Sequence, residues 1–287
     1  MTRIRSRRAE RLQPLAVKVP EIAAMFWLLK LLTTGMGEAM SDFLVHRNEP
    51  LAVAIGISGI ALALGLQLRA REYHAPRYWF AVMMVAVFGT MAADGVHVVT
   101  SLPYPVTTAL YGLLTAAVFF LWYRSEGTLS IHSINTVRRE TYYWAAVFAT
   151  FALGTAAGDL TALYLHLGFF VSIVLFASII AIPAYAWMGS VMNPILAFWF
   201  AYVITRPLGA SVADWLGKPR SLTGLGLGDG TVSVLALVVF VALVAYVTVT
   251  GRDVQVATAA QHRPSDPIEH VNHAIEAPVV QVNPADG

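Results

Sequence analysis

Residues 26–42 read FWLLKLLTTGMGEAMSD, and the spacing inside that stretch decides the fold. Phe26 and Trp27 are followed after nine residues by Gly37, and after four more by Asp42. The same phrase returns as Tyr78-Trp79, Gly89, Asp94, then as Tyr143-Trp144, Gly154, Asp159, and as Phe198-Trp199, Gly209, Asp214. The residue before each Asp is small: Ser41, Ala93, Gly158 and Ala213. Fixed spacing over four copies predicts tandem structural repeats.

The rest of the chain tells where those repeats reside. It is 57% hydrophobic and 13% charged, with a mean hydropathy of +0.64. Soluble domains carry roughly 25% charged residues, so that class is excluded. Apolar stretches run over 22–44, 51–68, 78–99, 106–123, 142–165, 169–188, 195–216 and 231–250. At ~1.5 Å per residue each is long enough to cross the hydrocarbon core of a bilayer. Every phrase falls on an odd-numbered stretch and a plainer stretch follows it, so one repeat is two crossings. The predicted fold class is all-α: a polytopic membrane helix bundle of about eight transmembrane helices in four parallel two-helix repeats. The expected boundaries are 20–70, 71–124, 136–190 and 191–250, within a transmembrane domain over 20–250.

Two segments flank that domain. Residues 1–19 carry Arg3, Arg5, Arg7, Arg8, Arg11 and Lys18 and are expected to be an uncleaved basic cytoplasmic tail. A topological role for this arm is preferred over RNA or anionic-lipid binding. Residues 251–287 have no apolar periodicity and read as a disordered cytoplasmic tail, with His262, His270 and His273 assigned no metal. Arg69, Arg71, Arg77, Arg124, Arg138 and Arg139 lie on the side of the arm, which predicts cytoplasmic termini in the inner membrane. The stretch Gly224–Gly230 is expected to be a flexible external connection rather than a phosphate loop, because no strand precedes it.

Within one copy, Gly37, Gly89, Gly154 and Gly209 each precede the small residue by four. That is the small-xxx-small pattern by which helix backbones approach closely in lipid. Trp27, Trp79, Trp144 and Trp199 stand ~22 Å from their Asp on a continuous helix and are expected to be interfacial anchors or packing residues. Trp122, Tyr123, Tyr185 and Trp187 are also expected to anchor at the interface. Two crossings per repeat make all four copies point the same way. Asp42, Asp94, Asp159 and Asp214 should then share one depth, as a ring if the odd helices meet centrally.

The first copy departs from the others. Glu38 precedes Asp42 by one turn, ~40° around the helix, where later copies have Thr90, Thr155 and Ala210. Glu38 and Asp42 form a candidate pair of hard oxygen ligands for Mg²⁺, Ca²⁺ or Mn²⁺, with Thr90 and Thr155 as hydroxyl neighbours. Alternatively one carboxylate of the pair keeps its proton. The chain has no Cys, which excludes thiolate sites and disulfides. Lys30 and Arg206 are the intramembrane cations, expected to balance these carboxylates. His46, His97 and His166 follow their Asp at irregular distances and read as boundary residues.

The fourfold phrase, with Lys18-Val19-Pro20-Glu21 leading into Phe26-Trp27, resembles an uncharacterised family of bacterial integral membrane proteins. Its members carry four tandem two-helix repeats of unknown function and are often labelled membrane-anchored. The resemblance covers roughly 18–250 and implies the architecture rather than an activity.

The residues themselves suggest a membrane transporter: a proton-coupled carrier or exporter of a small cation, with Mn²⁺ favoured, using intramembrane carboxylates. The alternatives are a non-transporting scaffold or regulator, and a passive cation channel. No nucleophile–base pair or cofactor motif supports an enzyme, and no cofactor is expected, a divalent cation being substrate. The expected partners are the lipid bilayer, a small cation and protons, with no nucleic acid. The sequence leaves the oligomeric state open.

Overall fold

The computed structural model describes residues 17–189 and 191–255. Eight long helices make up almost all of this: α1 (Ala24–Arg47), α2 (Glu49–Arg69), α3 (Ala75–Thr100), α4 (Tyr104–Glu126), α5 (Val137–Asp159), α6 (Phe169–Met188), α7 (Pro194–Gly217) and α8 (Asp229–Thr250). A π-helical turn, Leu160–Tyr164, extends α5. Seven of the eight are long and apolar enough to span a membrane. The exception is α1, whose Lys30 and Glu38 are both turned into the bundle.

Local signals set the helix ends. Asn48, Thr136 and Asn193 cap α2, α5 and α7 by accepting from the backbone N–H of Leu51, Arg139 and Ile195. Gly127 ends α4 with φ 68°, a left-handed conformation that glycine adopts without a steric cost. Pro50, Pro76, Pro105 and Pro194 sit in the first turns, where a missing N–H costs nothing.

The four odd helices form a closed inner ring, α1 against α3, α3 against α5, α5 against α7, and α7 back against α1. Each even helix packs chiefly on the odd helix that follows it: α2 on α3, α4 on α5, α6 on α7. The last, α8, closes the circle by packing on α1. All four copies of the repeated phrase therefore run in the same direction around one axis.

The phrase glycines make this ring possible. A Cβ on Gly37 would run into Ala86, one on Gly89 would meet Phe151 at 3.0 Å, one on Gly154 would strike Arg206, and one on Gly209 would strike Thr34. Each target lies three residues before the glycine of the next copy. The contact is thus the same in all four places, including the closure from the fourth copy to the first. Backbones approach closely here because lipid offers no hydrophobic drive for helices to associate, and packing must supply the stabilisation.

At the other end of the phrase the aromatics close a second ring. Phe26 packs on Trp79, Tyr78 on Trp144, Tyr143 on Trp199, and Phe198 on Trp27, with ring centroids 5.7–6.2 Å apart. Trp79, Trp144 and Trp199 are buried, so they are packing residues of an internal girdle and not interfacial anchors. Trp122 is likewise fully buried, whereas Tyr123, Tyr185 and Trp187 are exposed on the outside of the bundle. An outer layer of helices covers positions that would face lipid on an isolated span.

Parts of both flanking segments also pack as structure. Lys18 is 1% exposed and pairs with Glu140 at 2.6 Å, and Gln67 donates to the same carboxylate at 3.1 Å. Residues 251–255 lie against it: the Glu21 N–H donates to the Asp253 carbonyl at 2.8 Å, and Gln255 donates to the carbonyls of Val19 and Pro20. Tyr73 donates to the Asp253 carboxylate, and burial first, then that carboxylate, hold the Tyr73 hydroxyl above its ordinary range. The arginines of the basic arm and His262, His270 and His273 lie outside the described residues.

Candidate functional site

Aligning the four helices on the phrase glycine resolves the axis into layers. Seven residues before the glycine stand Lys30, Val82, Val147 and Tyr202. Three before it stand Thr34, Ala86, Phe151 and Arg206. One after it stand Glu38, Thr90, Thr155 and Ala210. All twelve side chains are buried. An axis this narrow cannot hold four large residues per layer, and the sequence supplies large ones on only some copies. The pseudo-symmetry is broken where the chemistry is.

Arg206 occupies the centre. Its Nη2 reaches Glu38 Oε2 at 2.6 Å and Thr155 Oγ1 at 2.7 Å and also bonds Thr90, while Nη1 donates to the Thr34 carbonyl at 2.7 Å. Its guanidinium lies 5.0 Å from the centre of the Phe151 ring. One side chain thus touches all three other helices of the inner ring. The expectation that Arg206 balances a carboxylate fits this geometry. Thr90 and Thr155 serve as hydrogen-bond partners of the guanidinium, and Thr90 also donates to Glu38 at 3.3 Å.

Lys30 behaves differently. It is 1% exposed, and its ammonium has no hydrogen-bond partner among the described residues. It stands 3.9 Å from the centre of Phe151 and 4.1 Å from that of Tyr202. Lys30 therefore does not neutralise Glu38 or any Asp. It sits between two aromatic faces, a contact worth about 2 kcal/mol when desolvated. Beyond it the Tyr78 and Tyr143 hydroxyls bond each other inside the aromatic girdle.

On the opposite side of Arg206 the axis becomes acidic. Carboxylate oxygens of Glu38, Asp42 and Asp94 all lie within 4.8 Å of one another. The charges of Glu38 and Asp42 act on Asp94, Asp159 and Asp214, and that of Asp159 acts on Asp94 and Asp214. Glu38 thus converges with the phrase aspartates of the first two copies, and those of the third and fourth lie within range of their charge. Asp42 pairs with Lys218, which also lies 3.5 Å from Asp229. Burial works against the Lys218 ammonium, yet Asp42 and Asp214 outweigh it and hold Lys218 above the usual lysine range. The carboxylates of Asp94, Asp159 and Asp214 accept no hydrogen bond from any described group, although Asp214 is 6% exposed.

Lys218 was missed as a site residue because its sequence context is that of a connection. That connection is more ordered than its glycines suggest. The N–H groups of Leu225, Gly226, Leu227 and Gly228 donate to the carbonyls of Trp215, Lys218, Leu216 and Gly217, capping the end of α7 and holding Lys218 over the carboxylates. The expected flexible loop is thus corrected to a folded cap. Of the histidines, His46 Nδ1 lies 2.7 Å from the Asp42 carbonyl and His97 stacks on Tyr104, so neither is drawn into the carboxylate cluster.

The family model described as Repeat of Unknown Function (DUF347) matches residues 77–128, 142–191 and 197–253, together more than half of the chain. The first copy, which holds Lys30 and Glu38, lies outside the matched ranges. No curated protein and no solved structure matches the chain.

Proposed function

The chain belongs to this repeat family of unknown function, and we propose that it is a membrane carrier exchanging a small cation against protons. One observation carries the reading. Arg206 answers Glu38, and Lys218 is paired with Asp42 and Asp229, which leaves Asp94, Asp159 and Asp214 outside any ion pair among the described residues, with Lys218 acting on Asp214 only from a distance. Carboxylates inside an apolar bundle hold either a proton or a cation, because the bare charge is too costly to bury. Alternation between those two states is the chemistry of proton-coupled carriage. The oxygen-only donor set favours a hard divalent ion, Mn²⁺ first, over a soft one.

The rest of the axis supports a carrier over a passive channel. Arg206, Phe151 and the aromatic girdle fill it on the far side of the carboxylates, so a continuous pore would need rearrangement of the inner ring. Arg206 supplies a means: a cation held by Glu38 competes directly with its guanidinium. By the positive-inside rule the tryptophan end, with Arg69, Arg71, Arg77, Arg124, Arg138 and Arg139, faces the cytoplasm of an inner-membrane protein and carries both termini.

The test is Mn²⁺ binding to the purified protein by calorimetry in two buffers of different ionisation enthalpy. Binding with proton release in wild type, lost in Asp94→Asn and Glu38→Gln, is the expected result. Unaltered binding in both variants would sink the site. Absence of binding, with Asp94→Asn merely less stable, would favour the scaffold alternative.

A further inference from the structure

A cavity of about 760 Å³ opens beside the place where the inner ring closes, between α1, α6, α7 and the turn at 129–132. It lies at the tryptophan end, away from the carboxylate cluster. The rings of Trp27, Phe198 and Trp187 are part of its otherwise apolar wall. Glu21 contributes the one carboxylate among the described residues of the lining, Ser130, His132 and Thr205 add polar groups, and no described lysine or arginine lines it.

The cavity has a local cause. At the junction of α5 and α7, Phe119 and Trp122 of α4 pack on Trp199 with ring centroids 4.9 and 5.6 Å apart and fill the flank of the girdle. At the junction of α7 and α1, α6 brings Pro183 and Ala184 instead. Proline inside a helix removes an N–H and forces the helix off straight. Trp27 is accordingly the girdle tryptophan left partly exposed.

Glu21 is held in place by its backbone bond to Asp253, and its carboxylate forms no ion pair among the described residues. The volume falls within the ~300–1,000 Å³ typical of small-molecule sites. An apolar and aromatic wall with one unpaired carboxylate matches a cation whose charge rides on a bulky apolar body. We propose that this cavity binds a lipophilic monovalent cation, with Glu21 as its counter-ion and Trp27 and Phe198 as the faces against which it lies. A lipid acyl chain would use the wall but leave Glu21 unanswered. A small metal ion would find no second carboxylate among the described residues. The site shares no residue with the carboxylate cluster, so it stands or falls separately from the carrier reading.

The probe is tetraphenylphosphonium, compared with tetraphenylborate, which has the same shape and opposite charge, on the purified full-length protein by tryptophan fluorescence. Wild type should bind the phosphonium and discriminate against the borate. Glu21→Gln should weaken the phosphonium about tenfold, the size of one screened ion-pair attraction, and erase the discrimination. Ala184→Trp, which puts an indole into the cavity, should abolish binding of both. Equal affinity of wild type for both ions, phosphonium binding untouched by Glu21→Gln, or no phosphonium binding at all would each overturn the proposal.

Discussion

Gly154 of α5 lies directly against the aliphatic stem of Arg206 on α7, and the Pro207 ring stands 3.0 Å from where a Cβ on that glycine would be. The glycine is therefore what allows the guanidinium to reach the axis. Gly154→Ala should destabilise by about 1–3 kcal/mol through overpacking, and by more if Arg206 is driven off Glu38. Gly158→Ala, whose Cβ would find only Ala210 at an ordinary 3.9 Å, should be near neutral. Thermal unfolding of both variants in the same detergent checks the contrast.

The Glu38–Arg206 pair should behave as a buried ion pair does. Glu38→Gln or Arg206→Met alone should cost about 3–5 kcal/mol, because each leaves a buried charge unanswered. The double variant should recover much of that loss, since it removes both charges from a low-dielectric axis. A double-mutant cycle on unfolding free energies measures the coupling, and additive losses would contradict it.

How far the sequence discloses such relationships depends on their range. The phrase spacing is legible because a helix repeats at fixed rise, and parity then fixes the common direction of the copies. Layer composition is legible too, once the copies are aligned on the glycine: Thr34, Ala86, Phe151 and Arg206 fall on one level. Lys18 with Glu140 and Lys218 with Asp42 are a different matter, being 122 and 176 residues apart and placed by loops rather than by the repeat. Trp79, Trp144 and Trp199 look like anchors on isolated spans because hydropathy cannot see the second shell of helices that covers them.

The Lys18–Glu140 pair gives an independent test of how the amino-terminal segment is held. Both groups are 1% exposed, so Glu140→Gln should cost several kcal/mol, on the order of 3–5, and loosen residues 17–23 from the bundle. Hydrogen exchange at Lys18 and Glu21, whose N–H groups donate to Ile134 and Asp253, should rise in that variant. Unchanged protection there would show that the contacts of Gln255 and Asp253 hold the segment alone.

For Lys218 the direction of the shift sets the pH window. Its folded pKa lies above the unfolded value, so its contribution is fully present below the unfolded lysine pKa of about 10.4 and is lost as pH rises through the folded value. Wild type should keep that contribution throughout neutral pH and lose it only in strong alkali. Lys218→Met should be less stable than wild type at pH 7, and the gap should narrow above pH ~10. Unfolding midpoints taken at both pH values test this, and a constant gap would mean the ammonium is not what matters.

Lys30 should respond in the opposite sense to Arg206. Its ammonium is buried without an acceptor, so the desolvation cost is offset only by Phe151 and Tyr202. Methionine has similar length and packs well against aromatic rings. Lys30→Met should therefore unfold at the same temperature as wild type or higher, where Arg206→Met unfolds lower. It also removes a positive charge from the axis that holds the carboxylates, so Mn²⁺ should bind the variant more tightly if the carrier reading is right. A fall in stability would mean the two aromatic faces outweigh the cost of burying the charge. Unchanged Mn²⁺ affinity alongside raised stability would confine Lys30 to packing and leave the acidic cluster electrostatically separate from it.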